Sequence, residues 1–187
     1  MIKDRTTAYA KLDVSDKKIA GRKEYLACKR HLDDLKNKKL EYKFDVEEAE
    51  FAINFANTLT LKDGTNLKTR GFQEFIIGSL HGWKKKRTKE RRFREAYLQV
   101  GRRNGKSFLS GAESTMFSTL LGNKDRIFCA ATKQDQANIV WDEIRNFIES
   151  DNDLSELYKI KEHDRTIKSL ATGTVIRSIG RDTKSMD

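Results

Sequence analysis

The stretch Ala96-Tyr97-Leu98-Gln99-Val100-Gly101-Arg102-Arg103-Asn104-Gly105-Lys106-Ser107 limits the folds open to this chain more than any other. Its first five residues read as a short apolar strand, expected to be buried. A loop with glycine and asparagine follows, and Lys106-Ser107 opens a helical pattern. Phe108, Leu109, Ala112, Met116 and Leu120 share one face of that pattern. Strand, glycine loop, Lys-Ser and helix form the context a phosphate-binding loop requires. Backbone N–H groups at the loop and helix start point at an anion, and the helix dipole favours negative charge there. Lys106 would meet the β/γ-phosphates and the Ser107 hydroxyl would ligate Mg²⁺.

The motif departs from the standard G-x-x-x-x-G-K-[ST] spacing, because Val100 stands where the first glycine belongs and Gly101 comes one place late. A plain helix N-terminus with a solvated lysine is the alternative reading. Arg102 and Arg103 inside the loop suit a polyphosphate, since a guanidinium can bind phosphate oxygens bidentately.

The chain has 187 residues, enough for one domain of ordinary size, with net charge +10 and pI near 9.6. That balance favours polyanionic partners such as nucleic acid. Cys28 and Cys129 lie far apart without metal-ligand spacing and read as buried thiols in a reducing compartment. No apolar run approaches the ~18 residues of a spanning helix, and Met1-Ile2-Lys3-Asp4 begins no signal peptide. A soluble intracellular protein with no membrane partner is the expectation.

Residues 1–18 are polar and aperiodic and read as a mobile arm. From Ile19 a helical pattern carries Tyr25, Cys28, Leu32 and Leu35. Asp45 with Glu48 reads as the capped start of a second helix, with Ala49, Ala52, Ile53, Ala56 and Leu59 on its apolar side. Lys62-Asp63-Gly64 is a turn. Residues 71–83 read as a short helix ending near Gly82. Its Gln73 could donate to and accept from an adenine edge, or could be an ordinary surface glutamine. From Lys84 to Arg94 there are eight basic residues and one acid, Glu90. That run suits either contact with a nucleic-acid backbone or a solvated connector.

Gly122-Asn123 closes the helix after the loop. Arg126–Ala131 reads as a second buried strand, Thr132 as the cap of a helix bearing Ala137, Val140, Trp141, Ile144 and Ile148, and 151–160 as a short helix or turn. Residues 166–170 and 175–179 flank Ala171-Thr172-Gly173-Thr174 as a hairpin. The alternation of strands and helices implies an α/β fold with a parallel sheet.

Four segments together resemble the large terminase subunit, the DNA-packaging ATPase of tailed phages. They are Gly21 through Ala27-Cys28-Lys29-Arg30-His31-Leu32-Asp33-Asp34, Phe72-Gln73-Glu74-Phe75-Ile76 to Gly82-Trp83, Arg102 to Ser107, and Ala130-Ala131-Thr132-Lys133-Gln134-Asp135-Gln136-Ala137. The resemblance implies an incomplete P-loop NTPase-type parallel sheet over 71–187, preceded by an N-terminal helical region over 1–70. It makes Gln73 the adenine-reading glutamine, and it accounts for Val100, because this family's loop often lacks the first glycine. By the same resemblance Gly101, Arg102, Arg103, Asn104, Gly105, Lys106 and Ser107 bind ATP. Lys106 and Arg102 are the catalytic residues, Arg102 as phosphate sensor, and Ser107 is the Mg²⁺ ligand.

The activity so implied is ATP hydrolysis coupled to translocation of double-stranded DNA into a procapsid. Partners would be the portal protein, the small terminase subunit and further copies in a ring, in the host cell cytoplasm. Arg165, Arg177 and Arg181 are candidate arginine fingers. The family's Asp-Glu strand and nuclease domain are not found in the sequence. The chain therefore reads as the first part of a longer protein, expected to hydrolyse ATP poorly by itself. The alternative is a non-catalytic module that binds nucleotide or DNA and serves as a scaffold.

Overall fold

The polar residues 1–18, expected to be a mobile arm, contain an ordered helix in the computed structural model, which describes residues 3–16 and 21–180. Helix α1 (Arg5–Ser15) starts where the Asp4 carboxylate accepts from the Thr7 N–H at 2.9 Å. The Arg5 N–H and Nε donate to the two carboxylate oxygens of Glu50 at 2.7 and 2.8 Å, and Nη1 donates to Glu74 at 3.3 Å. The buried positions of α1 are Thr6, Thr7, Ala10 and Asp13. A face built of small and polar residues has no apolar periodicity, which is why it reads as an arm.

Packing divides the chain into two compact units. The first comprises Met1–Asn57 and Lys68–Tyr97. It holds α1, α2 (Arg22–Lys36), β1 (Tyr42–Phe44), α3 (Val46–Thr58), α4 (Gly71–Gly82) and β2 (Trp83–Lys85). The expected start at Ile19 lies outside the described residues. On α2 the buried residues are Cys28 and His31, while Leu35 is exposed. Helix α3 buries Ala49, Ala52, Ile53 and Ala56 as its spacing requires. Helices α1 and α4 approach closely at Gly78, where a Cβ would lie 1.8 Å from Thr6 Oγ1, so only glycine fits.

Strands β1 and β2 pair antiparallel, Phe44 opposite Trp83. Between them and the helices lies a polar bond network inside an aromatic cluster. Trp83 Nε1–H donates to His31 Nδ1 at 2.9 Å. Tryptophan can only donate, so the imidazole proton sits on Nε2, which faces Thr7 Oγ1 at 3.0 Å. His31 thereby ties α1, α2 and β2 together in its neutral form, and burial pushes its pKa down to about 4.

The second unit comprises Thr58–Leu67 and Leu98–Asp187. It contains α5 (Lys106–Met116) with a π-helical turn (Phe117–Leu121), β3 (Arg126–Ala131), α6 (Gln134–Glu149), α7 (Asn152–Glu156), β4 (Tyr158–Lys161), β5 (Thr166–Ser169) and β6 (Val175–Gly180). The sheet order is β3-β6-β5-β4. The parallel sheet expected from the sequence is in fact mixed: only β3 and β6 run parallel, while β6-β5 and β5-β4 are antiparallel. The cause is local. The Ala171–Thr174 turn closes β5 onto β6 as a hairpin, and Tyr158–Lys161, expected as the end of a helix or turn, adds a further antiparallel strand.

Helix α6 covers one sheet face, and Trp141, Ile144 and Ile148 pack with Cys129, Tyr158, Ile167 and Ile176. Gln134 fastens its start to the end of β6: Nε2 donates to Ser178 Oγ at 2.8 Å, and Oε1 accepts from the Gly180 N–H at 2.8 Å. The N-cap is Lys133 rather than the expected Thr132, whose hydroxyl reaches Gln136 Oε1 at 3.4 Å. Both cysteines are buried, free thiols.

Candidate nucleotide-binding site

The site grows from the start of α5. Buried Leu109, Ala112 and Met116 hold the helix, while Phe108 and Leu120 on the expected face are partly exposed. Gly111 lets α5 lie against α6, since a Cβ there would already meet the Phe147 ring at 3.1 Å and Glu143 Cβ at 3.2 Å. A helix pinned in this way presents a fixed N-terminus.

The loop before it turns through two left-handed residues, Arg103 at φ 62° and Gly105 at φ 71°. Gly105 is the N-cap and offers no side-chain oxygen, and no acid stands in the first turn. The amides that open the helix therefore have no side-chain cap, and successive N–H groups in such a turn form an anion-binding concavity. Asn104 Nδ2 donates to the Arg102 carbonyl at 3.1 Å, which stiffens the turn. At Gly101 a Cβ would crowd that amide at 3.2 Å. Lys106 folds back over the loop, its Nζ donating to the Val100 carbonyl at 2.9 Å and the Gly101 carbonyl at 3.3 Å. Those two acceptors could not be inferred from sequence, because they are backbone atoms.

Arg102 and Arg103 are exposed, and neither pairs with a carboxylate among the described residues. The structure thus brings Gly101 through Ser107 into one loop and helix start. This donor set fits a polyphosphate: amides, one ammonium and two guanidiniums, with no acid in the loop. Ser107, half-buried in the first turn, is its one hydroxyl. No group of three or more His, Cys, Asp or Glu that could hold a metal occurs among the described residues.

The leading segment differs from expectation. Ala96–Val100 is not a buried strand. It makes no ladder with any described strand, and Tyr97 is 85% exposed. A strand exists only when neighbours take up its N–H and C=O groups. Among the described residues β3, an edge strand, pairs on one side only.

Gln73 belongs to the first unit, at the third position of α4, and is 9% exposed rather than a surface residue. Its Oε1 accepts from the Arg70 N–H at 2.9 Å, half of a capping box; arginine has no acceptor with which to complete it. Arg165 donates to Asp142 at 3.1 Å and lies over the Trp141 ring. Arg177 is exposed on the sheet, and Arg181 lies outside the described residues.

A loop bounded by Gly101 and Gly105, opening a helix beside a partial sheet, defines an α/β protein with an incomplete P-loop-type sheet. Residues 71–187 match the family model for the ATPase domain of the terminase large subunit, and the chain belongs to that family. Its fold is similar to the crystal structure of the HK97 bacteriophage large terminase, with a TM-score of 0.64 over 74% of this chain at 18% identity. The chain spans 28% of the length of that terminase. No curated protein matches the sequence.

Proposed function

We propose that this chain is the ATP-binding part of a viral DNA-packaging motor, with the N-terminal helical region at 1–70 and the first part of the ATPase domain at 71–187. The observation that carries this reading is the uncapped start of α5 behind two left-handed residues, in a chain of the terminase ATPase family. ATP bound with Mg²⁺ supplies the γ-phosphoryl group that water accepts. The protein's part is positioning and charge. The amides of the Gly101–Ser107 loop orient the phosphates. Lys106 exchanges two carbonyl acceptors for phosphate oxygens, a charge-assisted and stronger pairing. Arg102, helped by Arg103, neutralises charge at the loop, and Ser107 offers a lone pair to the metal. Gln73 selects adenine. Double-stranded DNA, the portal protein, the small terminase subunit and further copies in a ring are the partners, in the host cell cytoplasm.

Lys106→Ala tests the loop: ATP affinity measured by calorimetry is expected to fall at least tenfold, and an unchanged affinity would remove the assignment. Gln73→Ala is expected to erase preference for ATP over GTP, and an unchanged ratio returns Gln73 to its capping role. Steady-state ATPase measurement on the same chain separates a catalytic role from a purely binding one.

A further inference from the structure

The outer face of the second unit's sheet, opposite α6, is basic. Strand alternation places Lys159 and Lys161 of β4, Lys168 of β5, Arg177 of β6 and Arg126 of β3 on that face, all exposed. The registers align them in two rows across four strands. One row is Lys159, Lys168, Val175 and Arg126; the other is Lys161, Thr166, Arg177 and Phe128. Neighbouring strands stand ~4.8 Å apart and the rows ~6.7 Å apart. The β4–β6 part lines a hollow of about 460 Å³ whose one carboxylate is Asp164, hydrogen-bonded to His163 Nδ1 at 2.8 Å.

Two features argue that this face is built for an anion. None of the five cations forms an ion pair among the described residues. Lys159 and Lys168 are also direct cross-strand partners, and like charges placed directly opposite destabilise a sheet. The one acid of the hollow, Asp164, interacts electrostatically with Lys161 and Arg177, so a single carboxylate stands among these cations. The fold still keeps a like-charged pair that breaks a local rule, as binding surfaces do.

We infer that this face is a docking surface for the phosphate backbone of duplex DNA, contacted without regard to sequence. The choice of duplex rests on the packaging reading above. The charge pattern supports it, since the face offers cations in rows and only one aromatic, Phe128, whereas single strands call for several stacking positions.

The test is the salt dependence of duplex binding by this 187-residue chain, with fluorescently labelled duplex as the probe. Each phosphate contact contributes about 0.9 to the slope of log affinity against log salt. Neutralising Lys159, Lys161, Lys168 and Arg177 to Gln together is expected to reduce the slope by about 3 to 4, and Lys168→Gln alone by about 1. Circular dichroism confirms that each variant keeps its fold. An unchanged slope in the quadruple variant overturns the inference, as does a parent chain that binds ATP but no duplex. That second result leaves the nucleotide reading standing, so the two failures are distinguishable. Tighter binding of an equally long single strand at the same salt overturns the choice of duplex.

Discussion

Eight Lys and Arg side chains crowd the connector from Lys84 to Arg94, whereas the cations on the sheet face are scattered between Arg126 and Arg177. Four of the eight cations in the dense run are paired with acids of their own unit. Lys84 pairs with Glu48 at 2.8 Å, Lys85 with Glu41 at 3.9 Å, Arg94 with Glu90 at 3.6 Å and Arg92 with Asp34 at 2.7 Å. Lys86 Nζ donates to the Lys38 carbonyl at 3.1 Å. Arg92 also lies over the rings of Tyr42, Trp83 and Phe93. On the sheet, cations far apart in sequence meet on one surface, form no ion pair among the described residues and share a single nearby carboxylate, Asp164. Charge density along a chain is thus a poor guide to charge density in space. A contiguous run folds against whatever acids its neighbours offer, while alternating strands sort every second residue to one side.

The sharpest way to break this contrast is to remove one arginine from each region. Arg92→Ala leaves the largely buried Asp34 carboxylate without its partner and strips the cation from three rings, so it should cost about 4 kcal/mol. Arg177→Ala, exposed and unpaired, should stay within about 0.5 kcal/mol of the parent. Urea unfolding of both variants checks this, and equal losses would mean that the sheet arginine is structural too.

Next in size is a pH effect confined to the first unit. His31 is neutral when folded, with its pKa pushed down from 6.5 to about 4, chiefly by burial; nearby Asp4 and Asp34 oppose the shift and Arg30 assists it. The unfolded chain therefore takes up the proton first. Stability present above pH 6.5 is lost as pH falls from about 6.5 towards 4, by about 3 kcal/mol in all. Hydrogen exchange should accelerate in α1 and α2 over that window while α6 is spared. Uniform acceleration in both units would contradict a His31 origin.

The smallest effect expected is a gain. Lys159→Glu turns the like-charged pair with Lys168 into an attractive one and should stabilise the second unit by about 0.5 kcal/mol, measured by thermal unfolding at low salt. A loss would show that the pair is relieved in some other way. The same variant should weaken duplex binding, so stability and binding move in opposite directions only if the face serves a ligand.

Much of the architecture was legible where burial follows one clear period. Helix α3, with Ala49, Ala52, Ile53 and Ala56 inside, and α6, with Trp141, Ile144 and Ile148 inside, both follow their apolar spacing. The hairpin around Gly173 followed from its turn residues, and Gly173 takes φ 73°. Helix α1 was not legible, because Thr6 is buried by close packing against Gly78 and Thr7 by its hydrogen bond to His31 rather than through hydrophobicity. The apolar run Ala96–Val100 misled in the opposite sense: its residues suit a strand, but pairing partners are supplied by the rest of a fold and never by the run itself.

Sequence alone determined the Gly101–Ser107 loop, the helix that it opens and the family to which the chain belongs, because glycine tolerance, a fixed Lys-Ser position and helical spacing are local properties. Tertiary structure decided the rest. It set β6 between β3 and β5, gave the Lys106 ammonium its carbonyl partners, paired Lys84, Lys85, Arg92 and Arg94 with acids and gathered Lys159, Lys161, Lys168 and Arg177 onto one open face. Each of those outcomes depends on which distant residues become neighbours, and distance in space is fixed only when hydrophobic burial and strand register have chosen a single packing.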